Sequence, residues 1–292
     1  MKILKLVFIA VVLLAVSSNM YAQKKMYEMN NTEIDVILQE KSSENLTITE
    51  RMSYYSELFL GMPYNLTCTG DGQYALYETW PLVNFDSTNC MVFCEHTLAL
   101  SISDSWDNFF NNLQQIRYKD GMIGMRTRNH YTMADWLPEN NWLIDDVTKK
   151  VGGNFTKTLT RTISHKKFFE GKGIADLRYV KDDRTITIDY IPFNALKRVK
   201  ENLQNGDIFA ILFAKLDNIF SAHMLMIIEK DGEKFVRESS MSKMTTYDTA
   251  IDEWIEKYTD SKKYCGAAFM RVKEELNTPG KIILPWEIKN LK

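Results

Sequence analysis

The chain is poor in the residues that build metal centres and disulfide frameworks. It holds four cysteines and four histidines, and none of them forms a C-x-x-C pair or an H-E-x-x-H helix. A zinc site therefore has no support in the spacing. It has no excess of positive charge either: 36 Lys and Arg stand against 38 Asp and Glu, a formal net charge of −2. Without a basic stripe, nucleic acid is excluded as an expected partner. Beyond the N-terminal segment no apolar run approaches the ~18 residues that cross a bilayer as a helix. No repeat, low-complexity tract or proline-rich linker divides the chain, which leaves one large domain as the expectation.

The N-terminus reads as a secretory signal. Lys2 and Lys5 supply the positive end, Leu6 to Val16 is a short apolar stretch, and Tyr21-Ala22 precedes the expected cut before Gln23. Cleavage removes Lys2 and Lys5 and takes the formal charge from −2 to −4. No cysteine stands at the cut to carry a lipid. The expected location is the periplasm or the exterior. There Cys68, Cys90, Cys94 and Cys265 could pair in principle. Cys90 and Cys94, four apart on one helix, are badly placed to bond each other, and a Cys68–Cys94 pair has no support in the spacing.

The order of patterns is helices first and strands last, an α+β layout. Thr32 is read as the cap of a first helix. Thr47, with Glu50 three residues on, forms a capping box for a helix through Phe59. Ala75 to Tyr77 and Leu82 to Phe85 are strand candidates, and Met122 to Arg126 reads as an irregular strand. Phe109, Leu113 and Ile116 recur at helical spacing behind Asp104 or Ser105. Thr156 to His165 and Thr185 to Ile191 alternate as strands do. Phe193 to Leu203 is helical. Ile208 to Ala214, Met224 to Glu229, Lys234 to Glu238 and Cys265 to Val272 complete an antiparallel set, with a hairpin turn at Lys230 to Glu233.

The stretch Phe85 to Leu100 carries the strongest chemical signal. Thr88 and Asn89 are good N-cap residues for an apolar helix, which places Cys90 at its N-terminus. Exposed N–H groups and the helix dipole favour a thiolate there. A nucleophilic thiol needs a base. His96 is six residues on, on the far side of the helix. His165, beside Lys166 and Lys167, reads as solvated. His223 begins a strand of the C-terminal sheet, and a helix-terminal cysteine facing a histidine on a sheet is the papain arrangement.

These residues resemble the papain-like cell-wall amidases of the NlpC type, and more narrowly the secreted N-acetylmuramoyl-L-alanine amidase-like family. The resemblance rests on Pro63-Tyr64, on Asn89-Cys90-Met91-Val92-Phe93-Cys94-Glu95 ahead of Ala99-Leu100, and on Ile116-Arg117-Tyr118-Lys119-Asp120-Gly121. It continues in Arg128, His130, Tyr131, Asp135 and Trp136, in Gly206-Asp207-Ile208, and in His223. It spans roughly residues 50–275.

The resemblance implies a papain-like fold of N-terminal helices packed on a C-terminal antiparallel sheet. It implies a cofactor-free and metal-free hydrolase that cuts the amide between N-acetylmuramic acid and L-alanine in peptidoglycan fragments. Cys90 would attack as thiolate and His223 would hold and return the proton. Where relatives carry a histidine to orient the base, this chain has Arg237-Glu238-Ser239-Ser240, so Glu238 or Ser239 takes that part, depending on strand register. Tyr64 would help hold the oxyanion. The block from Arg128 to Trp136 would face the substrate: Arg128 forking onto a carboxylate, Trp136 stacking on a sugar, and His130, Tyr131 and Asp135 beside them. Asn89 in place of the usual aspartate and Cys94 in place of valine are departures from the family pattern. The rival readings are an endopeptidase of the stem peptide on the same fold, and an inactive muropeptide-binding protein. A monomer is expected.

Overall fold

The structure, a computed structural model, describes residues 23–292, so the expected signal segment lies outside the described residues. Four helices come first. Helix α1 (Asn31–Ser43) is capped by Asn30, not Thr32, because the Asn30 side chain accepts from Glu33 N while Glu33 bonds back to Asn30 N. Helix α2 (Ile48–Leu58) starts at the Thr47–Glu50 capping box that the spacing predicts. Helices α3 (Cys90–Ser101) and α4 (Trp106–Arg117) follow, capped by Asn89 and Ser105.

Eight antiparallel strands make one sheet. They are β1 (Ile144–Asp146), β2 (Lys157–Ile163), β3 (Arg184–Pro192), β4 (Ile208–Phe213), β5 (Ser221–Lys230), β6 (Glu233–Ser240), β7 (Thr245–Ala250) and β8 (Tyr264–Val272). Their order is β2-β3-β8-β4-β5-β6-β7, with β1 paired to β8. Helices α5 (Thr148–Gly152), α6 (His165–Gly171), α7 (Phe193–Val199) and α8 (Ile251–Thr259) lie between the strands in sequence. The α+β layout read from the sequence is therefore present. Ala75 to Tyr77, Leu82 to Phe85 and Met122 to Arg126 are turns and bends instead of strands. Leu76 and Ile123 in them are exposed while Phe85 and Met125 are buried singly, so none presents the alternating buried face of a strand.

The central strands are apolar on both sides because both sides are covered. Ile208, Ala210 and Leu212 join one core with Phe93, Cys94 and Leu98 of α3. Phe209 and Ile211 join a second core with Leu196 of α7 and Trp254 of α8. Alternate residues of one strand thus enter two cores, which explains the unbroken apolar run. Gly266 marks where β8 meets β3: a Cβ there would collide with the Ile191 carbonyl oxygen. Among the described residues, no helix is long and apolar enough to cross a membrane.

Helix α3 is the axis of the first core. From Val92 to Ser101 every residue is buried, which is how a helix apolar on all sides behaves. Its buried glutamate and histidine are accommodated individually. Glu95 accepts from Arg117 Nε at 2.7 Å with both side chains enclosed. His96 bonds Val92 O through Nδ1 at 2.9 Å, and burial pushes it well below its usual range, so it is neutral.

Candidate active site

Cys90 is the first residue of α3, and Asn89 builds that helix start. The Asn89 side-chain oxygen accepts from Met91 N at 3.1 Å and Val92 N at 2.9 Å, so the cap is asparagine as read. Just upstream, the Pro63–Asn65 segment runs beside the cap. Thr88 N donates to Pro63 O and Asn65 N to Thr88 O, each at 2.9 Å. That pairing holds Tyr64 near Cys90.

The candidate base, His223, arrives from β5. A bulge lets Ile211 oppose His223 while Leu212 opposes Ser221, so the register slips by one residue at Ala222. Bulges of this kind re-aim a side chain next to a reaction centre. His223 Nε2 lies 2.8 Å from Glu238 Oε2 on β6. Met226 opposes Arg237; extended, that register puts Glu238 diagonal to His223 on one sheet face and Ser239 on the other. Ser239 Oγ is buried without a partner. Of the two residues read as alternatives, Glu238 is the one beside the imidazole. With Nε2 engaged by Glu238, Nδ1 is the ring nitrogen left to face Cys90.

Four cysteines in one chain make a controlled comparison of environments, and all four are unpaired thiols. Burial pushes Cys68 up to about 11 and Cys94 well above the usual thiol value; Cys265 is also raised by burial. At Cys90 burial pushes the same way. It is outweighed by the charge and hydrogen bond of His223 and by the Met224 and Met91 N–H groups, so this thiol alone among the four is lowered. His223 shows the complement. Burial would lower it, but the charge and hydrogen bond of Cys90, followed by those of Glu238, raise it to about 10. Glu238, despite burial, is held below its usual value chiefly by His223. The opposed shifts favour a thiolate facing an imidazolium, backed by a carboxylate. Burial, with the charges of Cys90 and Cys68, pushes the Tyr64 phenol up to about 12. It therefore stays a hydroxyl donor.

A cleft of about 380 Å³ opens beside the first turn of α3, where Asn89, Met91 and Val92 form part of its lining. The block from Arg128 to Trp136 does not line it as a unit. Arg128 and His130 do. The Arg128 fork is already taken by Asp71 at 2.7 Å and Glu78 at 2.6 Å, so it is not open to a substrate carboxylate. His130 bonds Met125 O at 2.7 Å and packs at a tilt on Phe168 with ring centres 4.4 Å apart. Burial lowers it to about 4, leaving it neutral. Tyr131 is half-buried, its ring 5.1 Å from that of His165.

Asp135 and Trp136 correct the substrate-facing reading. Trp136 is 0 % exposed and packs in the first core, where no sugar can stack on it. Asp135 is enclosed by His165 at 2.7 Å, Arg184 at 2.7 Å and Lys181 at 3.0 Å. His165 is buried against it, not solvated among the lysines. The reason is local. The backbone at Thr132–Trp136 winds as a wide π-helical turn, which turns these side chains inward.

Sequence reading missed Trp80, Glu78 and Lys172, which share the cleft wall. A tryptophan followed by proline in a turn-rich segment was the available signal for Trp80; Lys172 had none, being one lysine of a charged stretch.

A model of the family described as N-acetylmuramoyl-L-alanine amidase-like matches residues 54–266. A solved protein of Legionella pneumophila superposes with TM-score 0.77 at 21% identity, covering 87% of this chain and 96% of its own. A structure named as an N-acetylmuramoyl-L-alanine amidase of Bacteroides uniformis superposes with TM-score 0.62 at 24% identity, covering 78% and 99%. At these identities the structural likeness speaks for the fold alone. No curated protein matches the chain significantly. The family model covers well over half of the sequence, with Cys90, His223 and Glu238 all inside the matched residues, and the chain belongs to the N-acetylmuramoyl-L-alanine amidase-like family.

Proposed function

We propose that the protein is a secreted or periplasmic, papain-like cysteine amidase that hydrolyses the bond between N-acetylmuramic acid and L-alanine in soluble peptidoglycan fragments. The observation that carries the reading is the chain Cys90–His223–Glu238, set at a helix N-terminus whose flanking residues Asn89 and Met91 line a cleft. The Cys90 thiolate attacks the amide carbonyl, and the electron pair moves onto the oxygen. The Tyr64 hydroxyl and the Cys90 N–H at the open end of α3 are the nearby donors for that oxyanion, the Met91 N–H being held by the Asn89 cap. The His223 imidazolium gives its proton to the departing amine nitrogen as the C–N bond breaks, leaving a thioester. Water, deprotonated by the now neutral imidazole, splits the thioester and restores thiolate and imidazolium. Glu238 fixes the ring and stabilises its charged form throughout. No step calls for a metal or cofactor.

The test is incubation of purified protein with defined muropeptides, wild type beside Cys90→Ala, with products identified by mass. Free N-acetylmuramic acid and an intact peptide support the assignment. A cut inside the stem peptide replaces it with an endopeptidase. Undiminished turnover by the alanine variant removes the thiol mechanism.

A further inference from the structure

The cleft holds a layered charge arrangement that the mechanism does not use. Asp71 lies deepest, its side chain 3 % exposed. Glu78 comes next at 17 %, and Lys172 stands in front at 41 %. Arg128 ties the two carboxylates together from behind, and Tyr118 donates to Asp71 at 2.7 Å. The negative charge is thus buried and internally paired, while the group shown to the cleft is the Lys172 ammonium.

That ammonium is held in place. It bonds Glu78 at 2.6 Å and sits 5.4 Å above the Phe168 ring. Its backbone closes the C-terminus of α6 with bonds to Phe168 O and Phe169 O. One contact to Glu78 leaves two of its three N–H groups without a protein partner. On the same cleft wall Trp80 is 44 % exposed, a large ring half open to solvent in a chain whose other cleft-facing aromatics are packed.

We propose that Lys172 selects ligands bearing a free carboxylate and that Trp80 provides the apolar platform on which the adjoining ring or chain lies. The pair takes over the two roles that the sequence assigned to Arg128 and Trp136. This rests on the amidase reading for the choice of ligand: a muropeptide whose carboxylate lies beyond the scissile amide, on the residue after L-alanine. Lys172 acts as a compact charge, so it favours the carboxylate over the uncharged amide of the same residue.

The test compares N-acetylmuramyl-L-alanyl-D-glutamate with its α,γ-diamide, which carries no free carboxylate. Wild type is expected to favour the acid about tenfold in kcat/KM, almost wholly through KM. Lys172→Met abolishes that preference and Lys172→Arg keeps most of it. Trp80→Ala raises KM for both compounds alike and leaves their ratio unchanged. Binding of both to Cys90→Ala, followed by calorimetry, should show the same ratio without turnover. If wild type hydrolyses neither compound, the amidase reading fails, and the binding ratio alone decides the role of Lys172. Equal treatment of acid and amide by wild type, a preference that survives Lys172→Met, or no binding of either compound overturns the proposal.

Discussion

Two histidine–carboxylate pairs stand in this molecule with nearly the same geometry and opposite consequences. His223 meets Glu238 at 2.8 Å; His165 meets Asp135 at 2.7 Å. The first pair has a thiol on its far side and a bulged strand that aims it at a helix N-terminus. The second is sealed, and its carboxylate is shared with Lys181 and Arg184. In the first, the carboxylate orients the imidazole and supports its charged form beside a thiol. In the second it is spent on joining α6, β3 and the turn at Thr132–Trp136. A histidine–carboxylate contact by itself therefore says little about catalysis; what adjoins the other ring nitrogen decides its use.

The comparison can be broken at either pair. The largest effect is expected at Cys90→Ala, with kcat falling about 10⁴-fold or more and thermal stability unchanged. Asp135→Asn should do the reverse. Removing one charge from a buried ionic cluster costs about 3 kcal/mol, readable as a drop of roughly 10 °C in Tm, while kcat per folded molecule stays near wild type. Asp135 is held below the ordinary carboxylate value, with burial opposed by His165 and then Lys181. Its contribution is therefore present above the unfolded value near ~3.9 and is lost as pH falls through the depressed folded one. The asparagine variant should lose stability less steeply on acidification, and urea titrations from about pH 5 down to about pH 2 would measure this.

Glu238→Gln keeps a hydrogen-bond acceptor but removes the charge that supports the imidazolium, so a loss of about 10²-fold in kcat is expected. The pH profile sharpens that result. In wild type, activity should rise as the lowered Cys90 thiol ionises and fall near pH 10 as His223 loses its proton. The glutamine variant should move the alkaline limb to lower pH; an unmoved limb would separate Glu238 from the base. Tyr64→Phe is the mildest change, about tenfold in kcat with KM held, as befits one of several oxyanion donors.

Much of this site was legible in the sequence because its signals are local. An asparagine before an apolar stretch marks a helix start, and a cysteine next in line inherits its N–H groups. Thr47 with Glu50 announced α2 in the same way. The strand bearing His223 showed as an apolar run with a histidine at its head. What sequence could not show is where long-range partners come from. Arg128 looked available for substrate because Asp71 and Glu78 lie about 50 residues upstream in a segment without periodicity. Trp136 and Asp135 read as outward-facing because nothing in the run Tyr131 to Leu137 betrays a π-helical turn. Strand β7 escaped notice for another reason. Its sequence, Thr-Thr-Tyr-Asp-Thr-Ala, suits an edge strand with no apolar face.

Helix α3 also offers a chemical clock for the molecule. Cys90 opens the helix with a lowered thiol at the cleft, and Cys94, one turn further in, is fully enclosed with a thiol pushed high. An alkylating reagent should therefore mark Cys90 in seconds to minutes and leave Cys94 untouched until α3 leaves the core. The ratio of the two labels on one tryptic peptide would report, in a crude extract and without any substrate, what fraction of the protein is both folded and armed.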